Sequence, residues 1–194
     1  MSFPARIVLA TRNAHKQREI RDICADWPVE WVTDAEWPEV EETGATYREN
    51  AGLKAHAVAG ATGLPALADD SGIEVDALGG APGPRSARYA GEGATDGDNL
   101  QALLAAVAGV PQGGRTARYR AVVVLAHPGG AEAAAEGVCE GVLRPRPAGE
   151  GGFGYDPIFE PAGWDRTMAE ISADEKHRVS HRGRALRALR EALA

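Results

Sequence analysis

The chain has 194 residues, a formal net charge of −7 at pH 7, 44% hydrophobic residues and 25% charged residues. That length is enough for one domain with a substantial core, the balance excludes disorder and fibrous repeats, and acidity without a basic stripe excludes a broad nucleic-acid surface. Two distant cysteines, Cys24 and Cys139, indicate neither a disulfide framework nor a zinc site. The first residues lead straight into a strand-like run, and no apolar stretch is long enough to cross a bilayer, so the expectation is a cytoplasmic protein with no membrane partner.

In chain order, Arg6 to Ala10 reads as a buried strand, and Lys16 to Cys24 has helical spacing with Ile20 and Ile23 on one side. Val29 to Val32 suits a second strand, and Thr33 to Ala45 is an acidic, turn-rich loop. Thr46 and Glu49 form a capping box that starts a helix running to about Ala61, with Asn50 and Lys54 on one face and Ala51, Ala55, Val58 and Ala59 as a narrow apolar stripe. Ala66 to Val75 reads as two strands joined at an acidic corner, because Asp-Ser-Gly favours a tight turn. Gly79 to Pro84 is a shaped loop. Leu100, Leu103, Leu104 and Val107 mark a helix capped by Thr95 or Asp96 and ended by Gly109 and Pro111. Ala117 to Leu125 alternates as a long strand, with Ala133 to Leu143 as its antiparallel partner. A glycine-rich turn at Gly151 to Gly154, a strand at Pro157 to Phe159 and a helix carrying Leu186, Leu189 and Leu193 complete residues 1–194 as a single α/β, mixed α+β domain.

Five constellations can carry chemistry. Thr11-Arg12-Asn13-Ala14-His15-Lys16 lies between a strand and a helix start, where free amides and a lysine suit phosphate; an ordinary polar connection has the same composition. Glu41-Glu42 with Asp69-Asp70 offers oxygen ligands to a hard cation and a carboxylate to take a proton from water, although acidic loops are common in an acidic protein. Adjacent Asp69 and Asp70 concentrate like charge and call for a cation or positive side chains opposite. Lys54 is either a phosphate donor or a solvated helix lysine. Gly152-Phe153-Gly154-Tyr155-Asp156-Pro157 lets backbone approach a flat ligand that Phe153 stacks on, or is simply a tight turn with a core aromatic. In Lys176 to Arg182, Ser180 is placed to cap the last helix, which sets His181 and Arg182 in its first turn, where positive charge opposes the dipole and suggests an anionic or carbonyl-bearing partner.

Taken in order, these motifs resemble the inosine/xanthosine triphosphate pyrophosphatase family, which removes non-canonical purine nucleotides. The resemblance rests on Thr11-x-Asn13-x-x-Lys16, Glu41-Glu42-Thr43-Gly44, Glu49-Asn50-Ala51-x-x-Lys54-Ala55, Ala68-Asp69-Asp70-Ser71-Gly72, Gly79-Gly80-Ala81-Pro82-Gly83, Ser86-Ala87-Arg88-Tyr89, Gly152-Phe153-Gly154-Tyr155-Asp156-Pro157 and Ser180-His181-Arg182. It implies hydrolysis of inosine, xanthosine and related deoxynucleoside triphosphates between the α and β phosphates, with magnesium as cofactor. Thr11, Arg12, Asn13, Ala14, His15 and Lys16 would grip the triphosphate together with Lys54. Glu41 and Asp70 would hold the metal, Asp70 would accept the proton, and Ser71 would touch substrate. Phe153, Gly154, Tyr155, Asp156, Lys176, His181 and Arg182 would surround the purine. The resemblance also implies an elongated mixed sheet with flanking helices, two lobes around a nucleotide cleft, and a homodimer. Arg12 departs from the pattern of many relatives. Two other readings stay open: the same cleft acting on a pyrimidine or modified-base nucleotide, and a catalytically silent nucleotide sensor.

Overall fold

Six strands form one mixed sheet in the order β2, β1, β3, β4, β5, β6, comprising Arg6–Leu9 (β1), Glu30–Val32 (β2), Ala66–Val75 (β3), Thr116–Ala126 (β4), Glu132–Leu143 (β5) and Phe159–Pro161 (β6). The helices are Ala14–Ile23 (α1), Tyr47–Thr62 (α2), Asp96–Ala106 (α3), Ala173–Val179 (α4) and His181–Leu193 (α5). The computed structural model describes residues 3–193; Met1, Ser2 and Ala194, the outermost residues of the expected domain, lie outside that range. β1 runs parallel to both β2 and β3, with α1 and α2 as the crossovers that parallel neighbours require. β4 and β5 are neighbours joined by residues 127–131, a connection short enough only for antiparallel strands, and β6 pairs antiparallel to β5.

The described residues fold as two compact units, the first within residues 3–70, 121–137 and 182–193 and the second residues 71–120 and 138–181. In the first, strand alternation divides the core in two. Ile7, Leu9, Leu67, Ala121, Val123 and Leu125 pack with Ile20 of α1 and with Leu186, Leu189 and Leu193 of α5. Val8, Ala10, Ala66, Ala68, Val122 and Val124 pack with Ala51, Ala55, Val58 and Ala59 of α2. Coverage of both faces explains why these strands read as nearly unbroken apolar runs. In the second unit, Ile73, Val75, Ala117, Tyr119, Cys139 and Leu143 build a core with Leu100 and Leu103 of α3.

The capping box at Thr46 acts as the sequence predicts, and of the two candidates for α3 Thr95 is the cap. Thr46 and Glu49 form a reciprocal capping box, Thr95 does the same with Asp98, and Asn13 caps α1. α2 ends on Gly63 at φ 67°, the left-handed cap that glycine adopts without a Cβ penalty.

Three local expectations change. The acidic corner is not a turn, since β3 continues through Asp69, Asp70, Ser71 and Gly72, and Gly72 is not among the glycines with positive φ. Extended backbone instead sends the two carboxylates to opposite faces of the sheet. Pro157 lies within a short 3₁₀ turn, Asp156–Ile158, so β6 begins only at Phe159; proline's fixed φ suits the first turn of a helix and its missing N–H does not suit a ladder. α4 was not expected, although Ser172 and Glu175 give it a capping box, and Ser180 ends it just before α5 begins.

Candidate active site

The face to which each β3 residue points decides its partners. Leu67 looks toward α1 and α5, so Asp69, two residues on, does too. There Asp69 Oδ2 accepts from Arg182 Nε at 3.2 Å and Nη2 at 2.9 Å, and Lys16 Nζ stands 3.3 Å away. Arg182 also pairs through Nη1 with Glu19, one helical turn beyond Lys16. Asp69 and Arg182 are each 1% exposed, so this is a buried ionic cluster joining β3, α1 and α5. Burial raises the Asp69 carboxyl, but Lys16, Arg182 and Lys54 outweigh it and hold the group well below the usual carboxylate range. Burial lowers the Lys16 ammonium, against the opposing pull of Asp69.

Asp70 points the other way, with Ala66 and Ala68, toward α2. Small residues on α2 allow a close approach to the sheet, and Asn50 and Lys54, four apart, both reach the carboxylate as their shared face predicts. Asn50 Nδ2 donates to Asp70 Oδ2 at 3.2 Å, and Lys54 Nζ lies 3.8 Å from Oδ1. The Lys54 ammonium also donates to Glu42 Oε1 at 2.7 Å and to the Asp69 carbonyl at 2.8 Å. Burial lifts the Asp70 carboxyl above its ordinary value, with Lys54 and Lys16 pulling down. Burial by itself would lower Lys54, yet Asp70, Asp69 and Glu42 raise it. Two adjacent carboxylates are thereby driven in opposite directions, the pattern that separates a fixed counter-ion from a working acid or base.

The loop bearing Glu41 and Glu42 is fixed from both ends. Gly44 N donates to Asn50 Oδ1 at 2.8 Å, and a Cβ at position 44 would meet Glu49 Cβ at 2.6 Å and Asn50 Oδ1 at 2.7 Å, so only glycine fits. Arg12 Nη2 donates to the Trp37 carbonyl at 2.9 Å, with the guanidinium 6.0 Å from the indole centroid. Arg12 therefore ties residues 11–16 to the acidic loop. Glu41 is exposed, and Glu42 is the neighbour that reaches Lys54.

Residues 11–16 form the N-terminus of α1. Asn13 Oδ1 caps it by accepting from His15 N at 2.9 Å and Lys16 N at 3.1 Å, and Thr11 Oγ1 accepts from Asn13 N at 3.2 Å. Arg12, Asn13, Ala14 and His15 are exposed, and the first turn carries no acidic residue. The positive end of the helix dipole and the Lys16 ammonium therefore act together, which suits an anion.

The other predicted residues, apart from Arg182, lie in the second unit, where Asp156 is the hub. Its Oδ2 accepts from Phe153 N at 2.9 Å and from Lys176 Nζ, and the Lys176 ammonium lies 4.9 Å from the Phe153 ring centroid. Gly152 has φ 70°, and a Cβ there would fall 2.0 Å from Asp156 Oδ2, which explains the first glycine of the motif. Gly154 N donates to Asp96 Oδ2 at 2.8 Å, and the buried Tyr155 hydroxyl donates to the Ser86 carbonyl at 2.8 Å. His181 is buried at the start of α5, and Ser71 is half-buried beside Asp70 in sequence.

Sequence reasoning passed over Glu19, whose signal was its i, i+3 spacing from Lys16, and Asp96, which had been weighed only as a cap. Arg182 was expected at the purine, but its guanidinium is engaged by Asp69 and Glu19.

The chain is similar to known proteins over nearly its whole length. A family model described as the Ham1 family matches residues 7–192. A Streptomyces coelicolor protein named dITP/XTP pyrophosphatase is 54% identical over 189 residues, covering 95% of this chain and 94% of its own. An Escherichia coli O157:H7 protein of the same name is 50% identical over 195 residues, covering 97% and 98%. A solved HAM1 protein from Coxiella burnetii superposes with a TM-score of 0.89 at 42% identity, covering 98% of each chain. A dITP/XTP pyrophosphatase structure from Mycobacterium abscessus gives 0.77 at 42% identity, covering 97% and 100%. A family match across almost the whole chain, with relatives half identical to it from end to end, means that the chain belongs to the Ham1 family.

Proposed function

We infer that this protein is a nucleoside-triphosphate pyrophosphatase that hydrolyses non-canonical purine nucleoside triphosphates, dITP and XTP among them, to the monophosphate and pyrophosphate. Relatives of that name share half its residues over nearly its full length. The observation that carries the chemistry is the division of labour at the end of the first unit's β3, where Asp69 is locked by Lys16 and Arg182 while Asp70 faces Lys54 and Asn50.

The roles follow from those contacts. The α1 N-terminus, Lys16 and Lys54 hold the triphosphate, and Asp70 accepts a proton from the attacking water as the bond between the α and β phosphates breaks and pyrophosphate leaves. Among the described residues, no three His, Cys, Asp or Glu side chains gather as a ready-made metal centre. Carboxylate oxygens are the donors magnesium takes, and Asp70 with Glu41 would hold it, while Glu42, next to Glu41 in the chain, pairs with Lys54. When bound, magnesium would neutralise phosphate charge. Arg182 acts through Asp69. Lys176 and His181 supply donors to a 6-keto purine stacked by Phe153; a 6-amino base offers those donors no acceptor at that position.

Among the described residues no helix is long and apolar enough to cross a membrane. The family resemblance supports a cytoplasmic homodimer, which sedimentation checks. The reaction is tested by supplying the purified protein and magnesium with ITP, XTP, dITP, GTP, ATP and pyrimidine triphosphates. Pyrophosphate release is expected to be fastest with ITP, XTP or dITP, and chelation of magnesium is expected to stop it. A pyrimidine as the best substrate, or tight binding without release, contradicts this reading.

A further inference from the structure

Tyr119 lies on β4 and is 7% exposed within the second unit's core, where strand alternation makes it look like ordinary packing. Its polar end is not ordinary. The hydroxyl donates to Asp156 Oδ1 at 3.3 Å. Its ring face stacks on the His181 imidazole, with centroids 4.6 Å apart and planes 9° apart, and the ring meets Phe159 edge-on at 4.7 Å. A phenylalanine would fill the same core volume without burying a hydroxyl, so the choice of tyrosine is explained by the group it bonds.

That group holds others in turn. Asp156 carries Lys176 and the Phe153 amide on its second oxygen, and the Lys176 ammonium stands over the Phe153 ring. One side chain thus braces Lys176 through Asp156 and His181 through a parallel stack. Selection by hydrogen bonding is steep only when donors are held in place, since loose donors can turn to accept a wrong partner.

We propose that Tyr119 is a positioning residue for base selection, holding Asp156 by its hydroxyl and His181 by its ring so that the donors reading a 6-keto purine keep fixed positions. The proposal rests on the assignment of Lys176 and His181 to the base.

The test uses the intact protein with Tyr119→Phe and Tyr119→Leu, assayed with ITP and ATP, alongside proton NMR of the histidine rings and a thermal melt. Tyr119→Phe keeps the stack, so the His181 resonances stay in place. KM for ITP is expected to rise roughly tenfold with kcat nearly unchanged, and the ITP-to-ATP ratio of kcat/KM to fall by a similar factor, as loss of one hydrogen bond to a charged acceptor would give. Tyr119→Leu is expected to shift the His181 resonances as well and to reduce the ratio further. A KM for ITP that Tyr119→Phe leaves unchanged, or an equal loss on both substrates with the ratio retained, overturns the proposal in favour of plain packing. A wild-type protein with no preference for ITP over ATP overturns the base assignment and this proposal with it. A preference that survives both substitutions overturns this proposal alone.

Discussion

Asp70→Asn is expected to reduce kcat for ITP by roughly a hundred- to ten-thousandfold, the range lost when a positioned proton acceptor is removed, while changing stability by no more than about 1 kcal/mol. The asymmetry follows from its surroundings. Burial already disfavours the charged form of Asp70, and an asparagine oxygen can still accept from Asn50 Nδ2, which donates here at 3.2 Å. Lys54 keeps Glu42 at 2.7 Å and the Asp69 carbonyl at 2.8 Å, so its charge is not stranded. Steady-state pyrophosphate release and a thermal melt measure the two effects separately. Activity within a few-fold of wild type would remove Asp70 from the proton-accepting role.

One residue earlier, the same substitution is expected to act on the fold. Asp69→Asn removes the carboxylate that faces both Arg182 and Lys16, two desolvated cations, while Glu19 stays on Arg182. Removing one member of a buried ion pair costs about 3–5 kcal/mol because the remaining charge stays buried without compensation. For a chain of this size that corresponds to a fall in Tm of roughly 6–20 °C. Activity falls too, since Lys16 loses its anchor at the α1 N-terminus, but protein that remains folded below the lowered Tm is expected to keep measurable turnover. Urea unfolding with an unchanged m-value reads the stability loss directly. A Tm within about 2 °C of wild type would show that the cluster contributes little. If that residual turnover falls as low as that of Asp70→Asn, the division of roles between the two carboxylates is wrong.

The contrast between these neighbours shows where the sequence is legible and where it stops. Elements with local signals could be read directly: the capping box at Thr46, the helical stripe of Leu100 and Leu103, and the alternation along β4. The Ser-Gly pair after Asp70 was misread because turn chemistry and a polar interruption in a strand have the same composition. Only distant partners decide between them. Lys16, Arg182, Asn50 and Lys54 come from α1, α5 and α2, and they compensate Asp69 and Asp70 on the two faces of a continuous strand. The resemblance singles out Glu41, but that Glu42 is the carboxylate reaching Lys54 is likewise a tertiary result, since the loop backbone is fixed by Arg12 on Trp37 and Gly44 on Asn50. Arg182 illustrates the general limit: a basic residue after a helix cap reads as a surface or ligand group, and its burial against Asp69 and Glu19 depends on residues 113 and 163 positions away. The motifs name the residues, whereas the tertiary contacts give each of them its partners.

The most direct measurement of the central claim is the identity of the products from ITP, followed by phosphorus NMR with magnesium present. Inosine monophosphate and pyrophosphate are expected in equal amounts, with inosine diphosphate absent at all times. Inosine diphosphate with orthophosphate would contradict it.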